Sequence, residues 1–112
     1  MTVAEIVKSL SLEVVTGRDN LNVEVTGGYV CDLLSSVMAK ARAGNIWVTI
    51  QAHPNVVAVA SLLELAAVVV ADDVELESAT RAKAEEENVP IIVTPRTAFA
   101  VVGELARLGV MG

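Results

Sequence analysis

Apolar and polar positions in the second half of the chain follow a pattern of buried strands separated by helices. Three short runs rich in Val and Ile, residues 46–51, 68–71 and 91–94, have the length and composition of strands that are covered on both faces. Residues at helical spacing follow each run. A strand, a helix and a second strand in succession form a right-handed crossover, which makes the two strands parallel. The pattern therefore predicts that these three strands lie parallel in one sheet.

The first half of the chain is predicted to begin with a helix and two strands. Thr2 and Glu5 have the spacing of a capping box, and a short amphipathic helix follows them. Residues 12–15 form a predicted strand. Residues 22–25 alternate polar and apolar side chains, as a second strand would, and the segment Thr26-Gly27-Gly28 ends it.

The remaining apolar positions predict four more helices. Residues 30–41 form the first, with Asp32 on its wetter side and Gly44 as the left-handed residue after its end. The nearly uncharged helix 56–66 comes next. The charged helix 75–88 is predicted to contact the core through Leu76, Ala79 and Ala82. The last helix runs from Pro95 to Gly109, with an inner stripe of Phe99, Val102, Leu105 and Ala106.

The helix 56–66 predicts self-association, because it is apolar on nearly every side and its single charge is Glu64. A helix that covers one face of a sheet needs only a partial apolar stripe. An outer face carrying residues such as Val57, Ala58, Ser61, Leu62 or Leu65 would be an exposed hydrophobic patch, which usually marks an interface. We therefore predict a homodimer with two-fold symmetry. The alternative is that the N-terminal helix folds over this face within one chain.

Length and composition indicate one small domain, and the composition also predicts its cellular compartment. The 112 residues are 54% hydrophobic but only 3% aromatic, which is typical of a Val-rich parallel sheet covered by helices. The net charge of −6 argues against a nucleic-acid or anionic-membrane partner. A lone cysteine, Cys31, and the lack of a signal peptide or a long apolar run predict a cytoplasmic protein. The predicted fold is α/β: a single domain, residues 1–112, with a largely parallel sheet and helices packed on its faces.

Polar residues follow the predicted strands where ligands usually bind. In an open parallel sheet this place is the edge formed by the carboxyl ends of the strands, next to helix N-termini. We expect a small anionic or nucleotide-like ligand to bind there. The predicted ligand-binding residues are Thr26, Gly27, Gly28, Thr49, Gln51, His53, Asn55, Thr94 and Arg96. The competing interpretation is purely structural: His53 caps a helix, Arg96 pairs with a surface carboxylate, and the two glycines only form a turn.

Catalytic and metal-binding motifs are not found in the sequence. One histidine and one cysteine fall short of a usual metal ligand set, and no phosphate-binding loop of the GxxxxGK[ST] kind is present. We therefore predict no metal, no cofactor and no catalytic residues. A small enzyme that uses His53 remains an alternative, and it requires a second titratable group within hydrogen-bond reach of this side chain.

Two segments, residues 29–39 (YVCDLLSSVMA) and 47–60 (WVTIQAHPNVVAVA), are similar to the stand-alone DRTGG-domain proteins. The resemblance extends over about residues 3–110. Residues 21–27 and 89–94 also resemble the N-terminal domain of bacterial HPr kinase. The chain departs from the family's name motif, because Glu24-Val25 precedes Thr26-Gly27-Gly28 where the motif has Asp-Arg.

This resemblance implies an α/β fold and a regulatory or accessory role. In multidomain relatives such modules accompany phosphotransacetylase, regulated pyrophosphatases and the kinase, while other domains carry the catalysis. We therefore expect a non-catalytic module that senses a ligand or contacts a partner, including a partner enzyme. The alternative is a dimerisation scaffold without a ligand. An open, polar pocket at the strand ends would favour the ligand-sensing module, and a pocket filled with side chains would favour the scaffold.

Overall fold

A computed structural model describes residues 1–112 and contains five strands, five α-helices and one short 3₁₀ helix, Arg18–Asn20. The strands are β1 (Glu13–Thr16), β2 (Gly27–Val30), β3 (Asn45–Thr49), β4 (Ala67–Val70) and β5 (Ile91–Val93). The helices are α1 (Val3–Leu10), α2 (Leu34–Lys40), α3 (Asn55–Leu63), α4 (Ser78–Glu87) and α5 (Ala98–Arg107). None of them is long and apolar enough to cross a membrane.

All five strands form one sheet in the order β1-β5-β4-β3-β2. Strands β2 to β5 run parallel, and β1 pairs antiparallel with β5 at one edge. The predicted α/β class, the largely parallel sheet and the parallel arrangement of the three Val/Ile-rich strands are thereby confirmed.

Helices cover both faces of the sheet, and alternate residues of each strand point to the two layers. On β3, Trp47 is fully buried against the side covered by α2, α3 and α4, whereas Ile46 and Val48 face α1 and α5. Since successive side chains of a strand point to opposite faces, this division follows from the alternation in the sequence. The predicted capping box is also present: the Glu5 N–H donates to the Thr2 hydroxyl at 3.2 Å, and Glu5 accepts the Thr2 N–H at 2.9 Å.

The first half of the chain differs from the prediction because one extended segment forms hydrogen bonds with a helix and not with the sheet. Residues 22–25 do not form a strand. The carbonyls of Leu21 and Val23 accept the N–H groups of Ala4 and Val3, which have no partner inside α1. Strand β2 is formed instead by the Gly-Gly-Tyr-Val segment that follows. Helix α2 therefore begins only at Leu34, and Gly44, although left-handed at φ +81°, lies beyond the C-cap of α2.

Helix α3 is covered on its inner side within one chain, whereas Ala58, Ser61 and Leu62 on its outer face are exposed, so the homodimer inferred from this helix stays a prediction. It packs between α2 and α4, and Val56, Val57, Val59 and Ala60 are all buried. Of its large apolar side chains only Leu62 is well exposed. The alternative, in which the N-terminal helix covers this face, was wrong, because α1 lies on the opposite face of the sheet.

The inward faces of α4 and α5 are rotated relative to the prediction. In α4 the buried positions are Thr80 and Ala84, which continue the line of Leu76 by steps of four; Ala79 and Ala82 are exposed. In α5 the buried residues are Val101 and Leu105, while Phe99 is 91% exposed. Helix α5 contains two apolar stripes, one through positions 98, 101 and 105 and another through 99, 102 and 106. The sheet buries the first of them. Gly109 is left-handed at φ +96°, just after the helix as expected.

Candidate functional site

Asp32 organises the carboxyl ends of β2 and β3. Its Oδ1 accepts the Thr49 hydroxyl and the N–H of Ile50, both at 2.8 Å. The Gln51 amide donates to the Asp32 main-chain carbonyl at 3.1 Å. The polar groups of Thr49 and Gln51 thus connect the end of β3 to the loop after β2. Asp32 itself lies in a loop and not on the polar side of a helix.

His53 caps helix α3. Its Nδ1 accepts the N–H of Asn55 at 3.1 Å. No other side chain forms a hydrogen bond with His53.

Thr94 and Arg96 also have partners inside the fold. Thr94 is buried, and its hydroxyl accepts the N–H of Arg96 at 3.2 Å. The guanidinium Nη1 of Arg96 lies 3.4 Å from Oε2 of Glu104. This nitrogen is buried but makes no well-formed hydrogen bond, so its contact with Glu104 is mainly electrostatic. The structural interpretations of His53 and Arg96 thus both describe contacts that the structure contains.

The segment Thr26-Gly27-Gly28 lies at the opposite, amino-terminal edge of the sheet, so its predicted location was wrong. Gly27 begins β2 opposite Asn45 of β3. A Cβ on Gly27 would lie 2.8 Å from the carbonyl oxygen of Met111, and the N–H of Gly28 donates to that same oxygen at 2.9 Å. The glycines therefore allow the C-terminal segment to approach the strand. Thr26 and Gly27 line a separate cavity of about 210 Å³ with residues 108–111.

An open cavity of about 400 Å³ lies at the carboxyl ends of β4 and β5, beside α4; we call it the β4–β5 cavity. Polar groups and an apolar floor line it: Glu13, Asp73, Glu75, Arg81, Thr94, Pro95, Val15, Val74, Leu76 and Val93. Thr94 is the single predicted ligand-binding residue among them.

The polar lining of the β4–β5 cavity was missed because it depends on the sheet order. Glu13 reaches the cavity only because β1 runs antiparallel to β5, with Glu13 opposite Val93. Arg81 lies in the first turn of α4. Asp73 and Glu75 precede that helix, and acidic residues just before a charged helix are usually interpreted as support for its N-terminus.

The wall of the cavity is held by main-chain contacts between two loops. Asp72 and Asp73 both have left-handed backbone, with φ of 65° and 58°, a conformation that Asp tolerates better than most residues. The N–H of Asp72 donates to the Arg96 carbonyl at 2.7 Å, and that of Asp73 to the Thr94 carbonyl at 3.1 Å. Three carboxylates and one guanidinium line the cavity, so its lining carries net negative charge. No group of three or more His, Cys, Asp or Glu side chains is placed to hold a metal ion.

One solved structure that resembles the chain is that of the CBS and DRTGG domains of the regulatory region of Clostridium perfringens pyrophosphatase, complexed with its activator, diadenosine tetraphosphate. The two align with a TM-score of 0.71 at 16% sequence identity, so the likeness is one of fold. The alignment covers 93% of this chain and 45% of that one, so the chain spans less than half of the pyrophosphatase fragment.

Curated protein sequences contain no significant match to the chain. The family model of the DRTGG domain matches residues 5–108, which is most of the sequence. The match confirms the resemblance inferred from the two central segments, and the chain belongs to the DRTGG domain family.

Proposed function

We propose that the chain is a non-catalytic regulatory module that binds a nucleotide-like ligand in the β4–β5 cavity and acts on a partner enzyme. The observation that carries the proposal is the cavity itself, which is open, partly polar and located where parallel α/β sheets bind ligands. The hydrogen bond from the Asn55 N–H to His53, the only histidine, supports a structural role for this side chain at the start of α3.

The lining of the cavity favours the nucleoside part of such a ligand. Val15, Val74 and Leu76 provide an apolar floor against which a planar base can pack. Glu13 and Glu75 supply acceptors for amino and hydroxyl groups of a base or a ribose. A compact anion would meet the net negative charge of the lining, so phosphate groups would remain at the rim, near Arg81.

A binding experiment with related ligands tests this proposal. The similar pyrophosphatase region was crystallised with diadenosine tetraphosphate, which makes adenine compounds the first choice. Adenosine, AMP, diadenosine tetraphosphate and inorganic phosphate are compared by calorimetry and thermal shift. We expect the three adenine compounds to bind and raise the melting temperature, because a ligand that binds only the folded state stabilises it. Phosphate alone should have no effect.

Substitutions in the cavity distinguish this site from others. Val74→Phe adds a bulky side chain to the floor and should abolish binding of all three adenine compounds. Arg81→Ala should weaken AMP about threefold and leave adenosine unchanged, because an exposed charge contact contributes little. Arg42→Ala removes a comparable exposed charge in the loop between α2 and β3, away from the cavity, and serves as the control. Equal binding of phosphate and AMP, or tight binding by folded Val74→Phe protein, would contradict the proposal.

A further inference from the structure

The second apolar stripe of α5 lies on the face of the sheet that has the fewer helices. Helices α2, α3 and α4 cover one face, but only α1 and α5 cover the other. An apolar groove of about 300 Å³ remains there between α5 and strands β2 and β3; we call it the α5 groove. Val30, Val48, Val102, Ala106 and Val110 are among its lining residues, and Val30 is half exposed.

Phe99 stands next to the α5 groove on the same helix. It is 91% exposed, more than any other large hydrophobic side chain of the protein. Val102, three positions later, belongs to the groove lining, and residues three apart on a helix are neighbours on its surface. Gly103 is exposed, and a Cβ built on it would meet no atom within 4 Å, so another helix can approach closely. A projecting aromatic ring and an apolar groove thus lie side by side on one surface.

We propose that this surface binds a second copy of the chain, with the two α5 helices antiparallel about a two-fold axis near Gly103. In such a pair Phe99 of each copy lies over Ala106 and the α5 groove of the other, since the projecting ring and the groove lie on the same face of each copy. The Arg107 side chain of one copy comes near the Phe99 ring of the other, where a guanidinium is attracted to the ring face. The antiparallel arrangement also pairs opposite ends of the helix dipoles.

The projecting Phe99 ring and the apolar groove on one face point to a second copy as the occupant, and the distribution of charge permits it. The chain carries a net charge of −6, so two copies repel each other over most of their surfaces. No Asp, Glu, Lys or Arg lines the α5 groove, so contact at this surface buries no like charges. The nearest carboxylate on α5, Glu104, is already paired with Arg96. A standard interface buries about 800 Å² on each partner, and Phe99 alone supplies about 150–200 Å² of that.

Mass measurements with two matched substitutions test this interface. The protein is examined by light scattering and analytical ultracentrifugation from micromolar to about 100 μM, a range suited to an interface of this size. We expect a dimer that Phe99→Asp weakens by about thirtyfold, as for a central aromatic anchor. Leu62→Asp on α3, also an exposed apolar side chain, should leave the dimer intact.

A cross-link provides a second readout that does not depend on destabilising the dimer. Gly103→Cys in a Cys31→Ser background places one thiol per chain near the axis, and mild oxidation should join two copies. Ser61→Cys in the same background is the exposed control on α3.

A monomer throughout the concentration range would overturn the proposal. A dimer that survives Phe99→Asp, or that Leu62→Asp dissociates, would show that the two copies do not associate through the α5 surface. Ligand binding is measured separately on Phe99→Asp, so the two proposals can fail independently.

Discussion

Replacement of Thr16 by Val should destabilise the fold more than replacement by Ser, although Val is closer in shape. Thr16 is fully buried at the irregular end of the β1–β5 pairing, where the register shifts between Val14 and Thr16. Its hydroxyl donates to the carbonyl of Val89 at 2.8 Å and accepts the N–H of Ile91 at 3.0 Å. The hydroxyl therefore takes the place of main-chain partners that the irregular pairing does not provide.

The expected magnitude follows from these two contacts. In Thr16→Val a buried carbonyl and a buried N–H both lose their partner, at about 1–3 kcal/mol each. The added apolar group offsets about 0.8 kcal/mol. A net loss of about 3 kcal/mol results, or about 12 °C in melting temperature for a domain of this size. Thr16→Ser keeps both hydrogen bonds and removes one methyl group, which costs about 1 kcal/mol.

Urea unfolding monitored by circular dichroism and by the fluorescence of the buried Trp47 measures both variants. Coincident transitions and equal slopes justify a two-state free energy of unfolding. If Thr16→Val were as stable as Thr16→Ser, the hydroxyl would not be holding β1 to β5, and the reasoning would be wrong.

Two further predictions concern the start of α1 and the loop after β2. The pKa of Glu5 is lowered mainly because its carboxylate accepts the N–H of Thr2, and also because it accepts the Thr2 hydroxyl. The resulting stabilisation of the fold is present above the ordinary pKa of Glu and is lost as the pH falls through the lowered pKa of Glu5. Between about pH 6 and pH 3 the urea midpoint of Glu5→Gln should therefore fall less than that of the unaltered protein, and parallel curves would contradict this. Asp32→Ala leaves the Thr49 hydroxyl and the Ile50 N–H without their acceptor and should lower the free energy of unfolding by about 1–3 kcal/mol, whereas Asp32→Asn, which keeps an oxygen, should lose less. Equal effects of the two substitutions in urea unfolding would show that Asp32 is not the acceptor that matters.

The sequence alone determined the features that depend on neighbours along the chain. The capping box at Thr2 and the left-handed Gly109 require only local geometry. The parallel arrangement of β3, β4 and β5 follows from runs of buried Val and Ile separated by helices, because a crossover of that kind has one preferred hand. The cap formed by His53 and the pairing of Arg96 with a carboxylate could also be stated as alternatives in advance, since both use residues nearby in the sequence.

Only the tertiary structure decided the features that depend on which distant segments pair. Gly27 and Gly28 look like a turn, but β3 on one side and Met111 on the other make them part of a strand. Glu13 joins the β4–β5 cavity because β1 pairs antiparallel with β5, a choice that no local pattern contains. Helix α5 has two apolar stripes of similar quality, and the sheet buries the one that leaves Phe99 in solvent. In each case the stabilising free energy comes from contacts between residues far apart in the chain. Hydrophobic periodicity therefore predicts the helices and strands but not which of them pack or pair together.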